Sequence, residues 1–297
     1  MTEKPPAGNS VQLDILEKVR LSRIRAMEIG VLAVVVAVAV LIRIQPLQYG
    51  AYYTAYDPDF QYRITKYIVE NGFASWWTWH DMLSWYPLGR NMANSAYPGV
   101  PFTGALLYML LNAVGLRVSV FDVGLNFPLL MASLTCILSY YLGKELNGKA
   151  TGLFAAIFMA ISPAFIARST FGFYDTETIG IFSMVAIGLF FLKSIDEASP
   201  IERRVVYGVL SGLSLGYMYA SWGAARYMTG LLALYMLIML YSGRFQLRHL
   251  ISYSLTIGLG YLIEFMVPRL GSNALMSLDH LATFGLVPLM LVYLFVR

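Results

Sequence analysis

The chain alternates long apolar runs with short polar connections. A polar stretch at residues 1–28 precedes an apolar run at 29–42, and further runs cover 123–143, 150–167, 178–194, 204–220, 226–241, 249–267 and 281–296. Apolar runs of about 17–25 residues have the length that a helix needs to cross about 30 Å of hydrocarbon. No part of the chain alternates apolar and polar residues over successive ten-residue segments, as the strands of a membrane barrel do. The pattern therefore predicts an all-α polytopic membrane protein.

Composition supports this fold class. Of the 297 residues, 58% are hydrophobic and only 13% are charged, with a mean hydropathy of +0.62. A soluble domain of this size needs a larger charged shell. The net charge of +4 would suit a nucleic-acid partner, but the basic residues lie in short loops between apolar runs, which is typical of membrane orientation. Cys136 stands alone in an apolar run, so the sequence contains no disulfide framework and no zinc motif.

The first apolar run, 29–42, ends at Arg43. Its length also matches the core of a signal peptide. The preceding tail is long for a signal peptide, however, and an arginine near a helix end can extend to the membrane interface. We therefore predict an uncleaved first helix that follows a cytosolic tail at 1–28, so that the chain emerges on the outer side.

The aromatic-rich segment 48–120 is predicted to be the first external loop, because tryptophan and tyrosine collect at the membrane boundary. The orientation depends on an apolar stretch within it, 102–116. If that stretch lies on or dips into the membrane, most basic residues of the later loops fall on the side of the tail, as the positive-inside rule requires. Those residues are Lys144, Lys149, Lys193, Arg203, Arg204, Arg244, Arg248 and Arg297, against Arg168, Arg226 and Arg269 outside. About eight crossings follow, with both chain ends cytosolic.

Two acidic clusters then fall on the same outer face. In the first, Asp57 precedes Pro58, a pattern typical of a helix start with Asp57 as N-cap and Pro58 at the first helical position. Asp59 and Arg63 would then form a surface pair four residues apart. The alternative is functional: Asp57 presents its carboxylate to a cation just above the membrane.

The second cluster, 168–177, contains Asp175 and Glu177 two residues apart at the mouth of a span. Two carboxylates in a tight loop suit a hard divalent cation. Alternatively, both are favourable charges at the N-terminus of the following helix. Arg168 either extends to the interface or holds an anionic group such as a diphosphate, for which its planar fork is suited.

Two further polar residues are assigned structural roles. His80 is predicted to be an interfacial residue among aromatic neighbours. Glu264 lies in an apolar run near its outer end, where an unpaired charge costs about 2.5–3.5 kcal/mol. We therefore expect a partner for it, either Arg269 or Arg226.

Several motifs together resemble one protein family. Residues 56–63 (YDPDFQYR), 84–90 (SWYPLGR) and 97–99 (YPG) resemble the first external loop of the catalytic subunit of oligosaccharyltransferase, in its archaeal-like form. Residues 173–182, which begin FYDTE, resemble the second acidic motif of that family, and 221–223 (SWG) resembles its tight turn between later spans. The similarity runs in order over about residues 28–270. The resemblance implies a GT-C type glycosyltransferase fold for a transmembrane domain at 29–297.

The resemblance also implies roles for individual residues. Asp57, Asp175 and Glu177 match the metal ligands of the family, usually for Mn²⁺ or Mg²⁺, and Arg168 matches a basic residue needed for activity. Asp57 would also hydrogen-bond the acceptor amide while the metal organises the departing diphosphate. Ala55 departs from the family, since many relatives have an acidic residue there.

The implied reaction transfers an oligosaccharide from a polyprenyl (dolichyl) diphosphate carrier to asparagine in the sequon of an acceptor protein, with inversion, on the extracytosolic face. Members of the family are longer, with a third acidic motif and a C-terminal sequon-reading domain that this sequence lacks. We expect the chain to be the N-terminal catalytic membrane portion, inactive alone, with that C-terminal part as its partner.

Two alternatives stay open. A different GT-C glycosyltransferase, using a polyprenyl-monophosphate sugar donor, would also carry carboxylates in its first external loop, although 84–90 and 97–99 favour oligosaccharyltransferase. A transporter would carry ionisable residues at mid-membrane. Here the predicted spans are nearly free of them, and the acidic residues lie at helix mouths.

Overall fold

The computed structural model describes residues 7–271, 274 and 276–296, and its regular structure is almost entirely helical. The helices are α1 (Ala7–Arg43), α2 (Tyr56–Asn71), α3 (Met92–Ser95), α4 (Gly99–Ala113), α5 (Val120–Ile161), α6 (Pro163–Ala167), α7 (Thr176–Ser194), α8 (Ile201–Ser221), α9 (Ala225–Tyr241), α10 (Leu247–Phe265) and α11 (Leu278–Val296). Short 3₁₀ turns cover Gln45–Tyr49 and Phe73–Thr78. The predicted first external loop also contains a small antiparallel pair, β1 (His80–Asp81) and β2 (Arg90–Asn91), which the all-α prediction did not include.

Four helical segments of the described residues are long and apolar enough to cross a membrane: Arg25–Tyr49, Val120–Ile161, Thr176–Ser194 and Leu278–Val296. Gly99–Ala113 and Ala225–Tyr241 are apolar but shorter. The count of about eight crossings stays a prediction. Helix α4, which contains most of the stretch at 102–116, has 15 residues and is therefore about 22 Å long. That length is less than the hydrocarbon thickness of about 30 Å.

Helix α1 extends well into the predicted polar tail, because it begins at Ala7 rather than near residue 29. Residues 12–28 contain no proline or glycine, and 11 of these 17 residues are Leu, Met, Gln, Glu, Lys or Arg. These straight-chain residues lose little side-chain freedom in a helix, so helical propensity continues beyond the apolar run.

Helix α5 consists of two arms, since Asn147 (φ −157°) and Gly148 (φ 80°) are not helical. The break lies between the runs predicted at 123–143 and 150–167. The arms fold back on each other at two glycines. A Cβ atom on Gly143 would lie 2.8 Å from the Thr151 carbonyl oxygen, and one on Gly152 would lie 2.5 Å from that of Tyr140. Small residues thus let the two backbones approach closely.

Helices α7, α8 and α10 pack against one another around the largest buried cluster, which includes Leu215, Met218 and Tyr253. The two ends of the bundle differ in chemistry. At one end, Lys144 and Lys149 flank the break in α5 and bind Glu28 of α1 at 2.6 and 2.5 Å. At the other end, the Arg43 carbonyl accepts a hydrogen bond from Phe171 N at 2.8 Å. The loop 168–177 therefore lies at the end of the bundle where α1 terminates.

Candidate functional site

The two acidic segments meet at this end. Thr54, just before α2, donates its backbone N–H to the Gly172 carbonyl at 3.3 Å. The buried Tyr174 hydroxyl lies 2.9 Å from Thr65 Oγ1 of α2 and donates to the Val100 carbonyl of α4 at 3.1 Å. These contacts hold the loop 168–177 against the start of α2 and the start of α4. The carboxylates of Asp57 and Asp175 consequently lie on one face of the bundle.

Asp57 has an exposed side chain in the first turn of α2. The prediction that Asp57 is the N-cap and Pro58 the first helical residue is wrong. Helix α2 begins at Tyr56, and the N-cap is Ala55, whose backbone is extended (φ −155°, ψ 173°) and which makes no side-chain cap. The carboxylate of Asp57 still lies at the positive end of the helix, and it does not serve as the cap.

The predicted pair between Asp59 and Arg63 is also wrong. Arg63 binds Asp81 with two hydrogen bonds, from Nε to Oδ2 at 2.9 Å and from Nη2 to Oδ1 at 2.6 Å. Asp81 also accepts from Ser84 Oγ at 2.7 Å. The two oxygens of this buried carboxylate match the two N–H groups of the arginine fork. Arg63 therefore connects α2 to the strand pair and does not pair with a residue of α2.

Asp175 is the N-cap of α7, and its Oδ1 accepts the Thr176 N–H at 2.7 Å. The alternative that places the charge of Asp175 at the N-terminus of the following helix is therefore correct. Asp175 is also 6% exposed. Burial, with the nearby charges of Glu177 and Asp57, raises the pKa of Asp175 to about 6 even though the Thr176 N–H stabilises the ionised form. Burial is therefore the main reason that the ionised form of Asp175 is disfavoured, and the neighbouring carboxylates add to the effect.

Glu177 lies in the first turn of α7, and Arg168 Nη1 lies 3.4 Å from its Oε1. Arg168 is 56% exposed, with its guanidinium 5.6 Å from the centre of the Phe173 ring. The guanidinium contacts the acidic cluster on one side and keeps exposed N–H groups on the other. This arrangement suits an anion placed next to the carboxylates.

Arg43 at the end of α1 holds the loop 168–177 in place, a role that sequence reasoning missed. The prediction that it extends to the interface is wrong, because its side chain is fully buried. Its Nε donates to Ser169 Oγ at 2.8 Å and its Nη1 to the Ala160 carbonyl at 2.7 Å, and the guanidinium lies over the Phe165 ring at 4.9 Å. No local pattern indicates this contact, since Ser169 is 126 residues away.

The other motifs form the wall beside the acidic loops. Arg90, the last residue of 84–90, lies between the rings of Phe60 and Trp85 at 4.3 and 4.5 Å. A Cβ atom on Gly99 would collide with Ser221, and one on Gly180 would collide with the Trp222 indole.

The turn 97–99 therefore packs on the turn 221–223, which joins α8 to α9 as predicted. The indole of Trp222 lies against the first turns of α7, beside the acidic loop.

His80 and Glu264 differ in outcome. The exposed His80 ring bonds the Leu88 carbonyl at 2.9 Å within the strand pair, a structural contact. The partner predicted for Glu264 is wrong, because Glu264 Oε2 lies 2.6 Å from His280 Nε2 and both side chains are fully buried. Arg226 instead pairs with Asp279 at 3.4 Å, and Arg269 lies over the Tyr97 ring at 4.2 Å. The helix ends of α9, α10 and α11 are joined through these pairs.

The carboxylates can be tested against the ion that the resemblance implies. Among the described residues, no three His, Cys, Asp or Glu side chains are already gathered closely enough for a metal. Asp57, Asp175 and Glu177 nevertheless supply the hard oxygen donors that Mn²⁺ and Mg²⁺ prefer. The charges of Asp57 and Glu177 both reach Asp175 and raise its pKa. The chemistry of the donor set therefore fits a divalent cation, although the three carboxylates would have to come closer together than they are in this structure to hold one.

Comparison with known proteins identifies the family. The family model described as "Oligosaccharyl transferase STT3, N-terminal" matches residues 27–297. The STT3B subunit of dolichyl-diphosphooligosaccharide–protein glycosyltransferase from Arabidopsis thaliana is 33% identical over 270 residues, which cover 91% of this chain and 36% of the relative. The stt3 subunit from Schizosaccharomyces pombe is 32% identical over 254 residues, 84% of this chain and 33% of the relative.

The fold is similar to that of solved archaeal enzymes. The oligosaccharyltransferase AglB from Archaeoglobus fulgidus, solved with an inhibitory peptide and a dolichol-phosphate, superposes with a TM-score of 0.73 at 20% identity. The match covers 91% of this chain and 33% of that chain. A crystal structure of the A. fulgidus enzyme with Zn and sulfate gives a TM-score of 0.71 at 22% identity.

The predicted helical GT-C fold is thereby confirmed, in a chain that spans about a third of the length of the relatives it matches. Apolar helices of spanning length, together with this likeness, make it an integral membrane protein. The matches to residues 27–297 and to the STT3 subunits establish that the chain belongs to the STT3 family of oligosaccharyl transferases.

Proposed function

We propose that the chain forms the N-terminal, donor-side membrane part of an enzyme that transfers an oligosaccharide from dolichyl (polyprenyl) diphosphate to asparagine of an acceptor protein. The observation that carries this proposal is the meeting of the two acidic segments at one end of the bundle, beside the exposed guanidinium of Arg168. The names of the curated relatives supply the donor and the protein acceptor.

In this proposal the residues have separate tasks. Asp175 and Glu177 would hold a Mn²⁺ or Mg²⁺ ion together with Asp57. Such an ion, when bound, stabilises negative charge that develops on phosphate oxygens. Arg168 binds the diphosphate through its exposed N–H groups, because a guanidinium fork matches phosphate oxygens.

Asp57 accepts a hydrogen bond from the acceptor amide N–H. An asparagine amide is a weak nucleophile because its lone pair is delocalised into the carbonyl, so a carboxylate beside the N–H orients it. Glu177 contacts Arg168 at 3.4 Å, and if it turned towards a bound cation, the guanidinium would be free to bind the donor.

The site is placed at the extracytosolic membrane surface, with the N-terminus of the chain cytosolic. The donor lipid then stays in the bilayer while the acceptor stays in water. The rest of the length of the relatives would supply the sequon-reading part, and we expect transfer to require it.

The decisive experiment places this chain in a full-length relative, where it replaces the matching N-terminal part. Asp57→Ala and Asp175→Ala should each reduce transfer from a polyprenyl-diphosphate donor more than about a hundredfold, because each removes a charge from the reacting site. Membrane insertion should be unchanged. The matched control is Asp59→Ala, two residues from Asp57 on the same exposed helix turn, which should transfer at nearly the unmodified rate.

Two results would reject parts of this proposal. Transfer near the unmodified rate in Asp57→Ala or Asp175→Ala would remove that residue from the site. Equal use of a polyprenyl-monophosphate sugar donor would favour the other GT-C reaction. Sidedness is tested separately by labelling a cysteine at Tyr56, which is 92% exposed, with an impermeant reagent in sealed cells. Protection there would overturn the extracytosolic placement.

A further inference from the structure

A second polar site lies at the far end of α7 from the acidic loops. An open recess of about 320 Å³ is lined by Arg204 of α8 and Arg248 of α10. Its apolar walls come from Ile201, Leu247 and Ile251, and its rim also carries Glu197 and Gln246. A smaller adjoining depression reaches Ser194, the last residue of α7. Helix α7 has 19 residues, so the recess lies about 28 Å from Asp175. It is therefore separate from the proposed transfer site.

The two guanidinium groups have unused hydrogen-bonding capacity. The Nε atoms of Arg204 and Arg248 are both buried, and neither has a hydrogen-bond partner. Arg248 Nη1 contacts Glu197 Oε2 at 2.9 Å, but Glu197 is 77% exposed. Among the described residues Arg204 has no ion pair. A buried donor without an acceptor costs about 1–3 kcal/mol, and more when it is charged.

The surrounding negative charges compensate Arg248 in part, through Glu197 and the nearby Asp196, whereas Arg204 has no ion pair among the described residues. Arg204 and Arg248 both lie in the first turn or so of their helices, which begin at Ile201 and Leu247. A helix N-terminus disfavours a cation, so each arginine adds positive charge to an already positive helix end. The nearby Asp196 is engaged within its own turn, where it accepts from Ser199 Oγ at 2.7 Å and from Ala198 N at 3.1 Å.

Apolar side chains beside the arginines point to the kind of anion. Ile201 is 50% exposed and Leu247 is 57% exposed, and both stand next to the guanidinium groups at one end of a membrane bundle. A free phosphate ion gains nothing from such walls, whereas acyl chains do. Basic pockets between membrane helices are the usual binding sites for anionic lipid headgroups.

We propose that this recess binds one anionic phospholipid, with its phosphate between Arg204 and Arg248 and its acyl chains along Ile201, Leu247 and Ile251. The phosphate oxygens would accept hydrogen bonds from the outer Nη–H groups of both arginines, and the Arg204 side chain donates none of its own to the other described residues. The lipid would join the N-terminal ends of α8 and α10, which pack along each other in the core of the bundle. This inference does not depend on the proposed transferase reaction.

The test uses the whole chain in lipid nanodiscs that contain phosphatidylcholine and phosphatidylglycerol, with native mass spectrometry to count retained lipids. The unmodified chain should retain one phosphatidylglycerol in preference to phosphatidylcholine. The double variant Arg204→Gln/Arg248→Gln should lose that preference, by about fivefold for each arginine removed, since an arginine near anionic lipid contributes about 1 kcal/mol. The matched control is Arg203→Gln/Arg244→Gln, which removes the same charge from two exposed neighbours that do not line the recess.

Three outcomes would overturn the proposal. The first is an equal loss in the control variant, which would mean general attraction between a basic surface and an anionic bilayer. The second is displacement of the retained lipid by millimolar inorganic phosphate, which would make the recess a site for a free anion. The third is no lipid preference in the unmodified chain, a measurement that needs no variant and so stands even if Arg204→Gln/Arg248→Gln does not fold.

Discussion

Arg43 Nε donates a hydrogen bond to Ser169 Oγ over 2.8 Å and thereby ties the end of α1 to the residue next to Arg168. The same guanidinium donates to the backbone carbonyls of Ala39 and Ala160, at 3.1 and 2.7 Å. A buried cation surrounded by neutral acceptors is expensive unless each N–H is satisfied. The loop that carries Arg168 and Asp175 is therefore positioned from the first helix of the chain.

Replacement of Arg43 by methionine should lower the free energy of unfolding by at least about 2 kcal/mol, because hydrogen bonds to charged groups contribute about 1.5–3 kcal/mol. SDS-titrated unfolding in mixed micelles measures this value. The control, Arg25→Met, changes an exposed arginine of the same helix and should stay within about 0.5 kcal/mol of the unmodified protein. A cysteine at Thr170 should also react faster with a thiol reagent in Arg43→Met. Unchanged reactivity there would contradict the positioning role.

Asp175 makes stability depend on pH in the metal-free protein. Its pKa is raised from 3.8 to about 6 by burial and by Glu177 and Asp57, so between about pH 4 and pH 6 the folded state binds a proton that the unfolded state does not. Stability should therefore fall as pH rises through this window, by at most about 1.4 kcal/mol per pH unit. Unfolding measured with a chelator present, over this pH range, gives the slope.

Asp175→Asn removes the titrating group and keeps a good helix cap, so it should flatten that slope. Added Mn²⁺ should flatten it in the unmodified protein, because a cation favours the ionised carboxylate. A slope of the same size in Asp175→Asn would assign the titration to another group.

The buried pair of Glu264 and His280 should show strong coupling. Glu264→Leu or His280→Leu alone leaves a buried polar partner uncompensated and should cost about 3 kcal/mol of unfolding free energy. The double variant should cost clearly less than the sum of the two, since it leaves no unpaired group. A double-mutant cycle on unfolding free energies measures the coupling. Additivity within about 0.5 kcal/mol would show that the contact contributes little.

Two glycines of α7 provide a matched pair for the packing of Trp222. A Cβ atom at Gly180 would collide with the indole, whereas one at Gly188 would meet only Leu142 methyl groups at 3.7 and 3.9 Å. Gly180→Ala should therefore destabilise the chain by about 1–3 kcal/mol. Gly188→Ala should be neutral or stabilise it by up to about 1 kcal/mol, because alanine is the better helix former. Thermal unfolding in detergent compares the two variants, and equal behaviour would contradict the steric contact between residue 180 and Trp222.

Local sequence patterns predicted most of the architecture. Apolar runs indicated the first arm of α5 and α7 to α11 to within a few residues, because burial in a bilayer demands long uninterrupted runs. The run predicted at 150–167 was wrong as a single helix, since α5 ends at Ile161 and the short helix α6 follows at Pro163–Ala167. Polar segments marked the loops, and the family resemblance of 221–223 indicated the turn between α8 and α9. Helical propensity rather than hydrophobicity extends α1 back to Ala7. The apolar run alone therefore placed the start of this helix too late.

Pairings of charged groups were not predictable in the same way. Arg63 binds Asp81, Glu264 binds His280 and Arg43 binds Ser169, at sequence separations of 18, 16 and 126 residues. Rules for neighbours three or four residues apart apply only within one helix. Partners that depend on how helices pack cannot be found from such spacing. Arg63, Glu264 and Arg43 were therefore assigned the wrong environment.

The close approach of Gly143 to Gly152 bears on how the chain enters the bilayer. The arm of α5 after the break, residues 149–161, is only about 20 Å long, too short to hold a stable transmembrane position by itself. A sharp turn joins this arm to the preceding one, and the two glycines let the arms pack without intervening side chains. The two arms would therefore enter the bilayer together, as a helical hairpin. Bulky residues at either glycine should thus impair biogenesis of the protein before they impair any reaction.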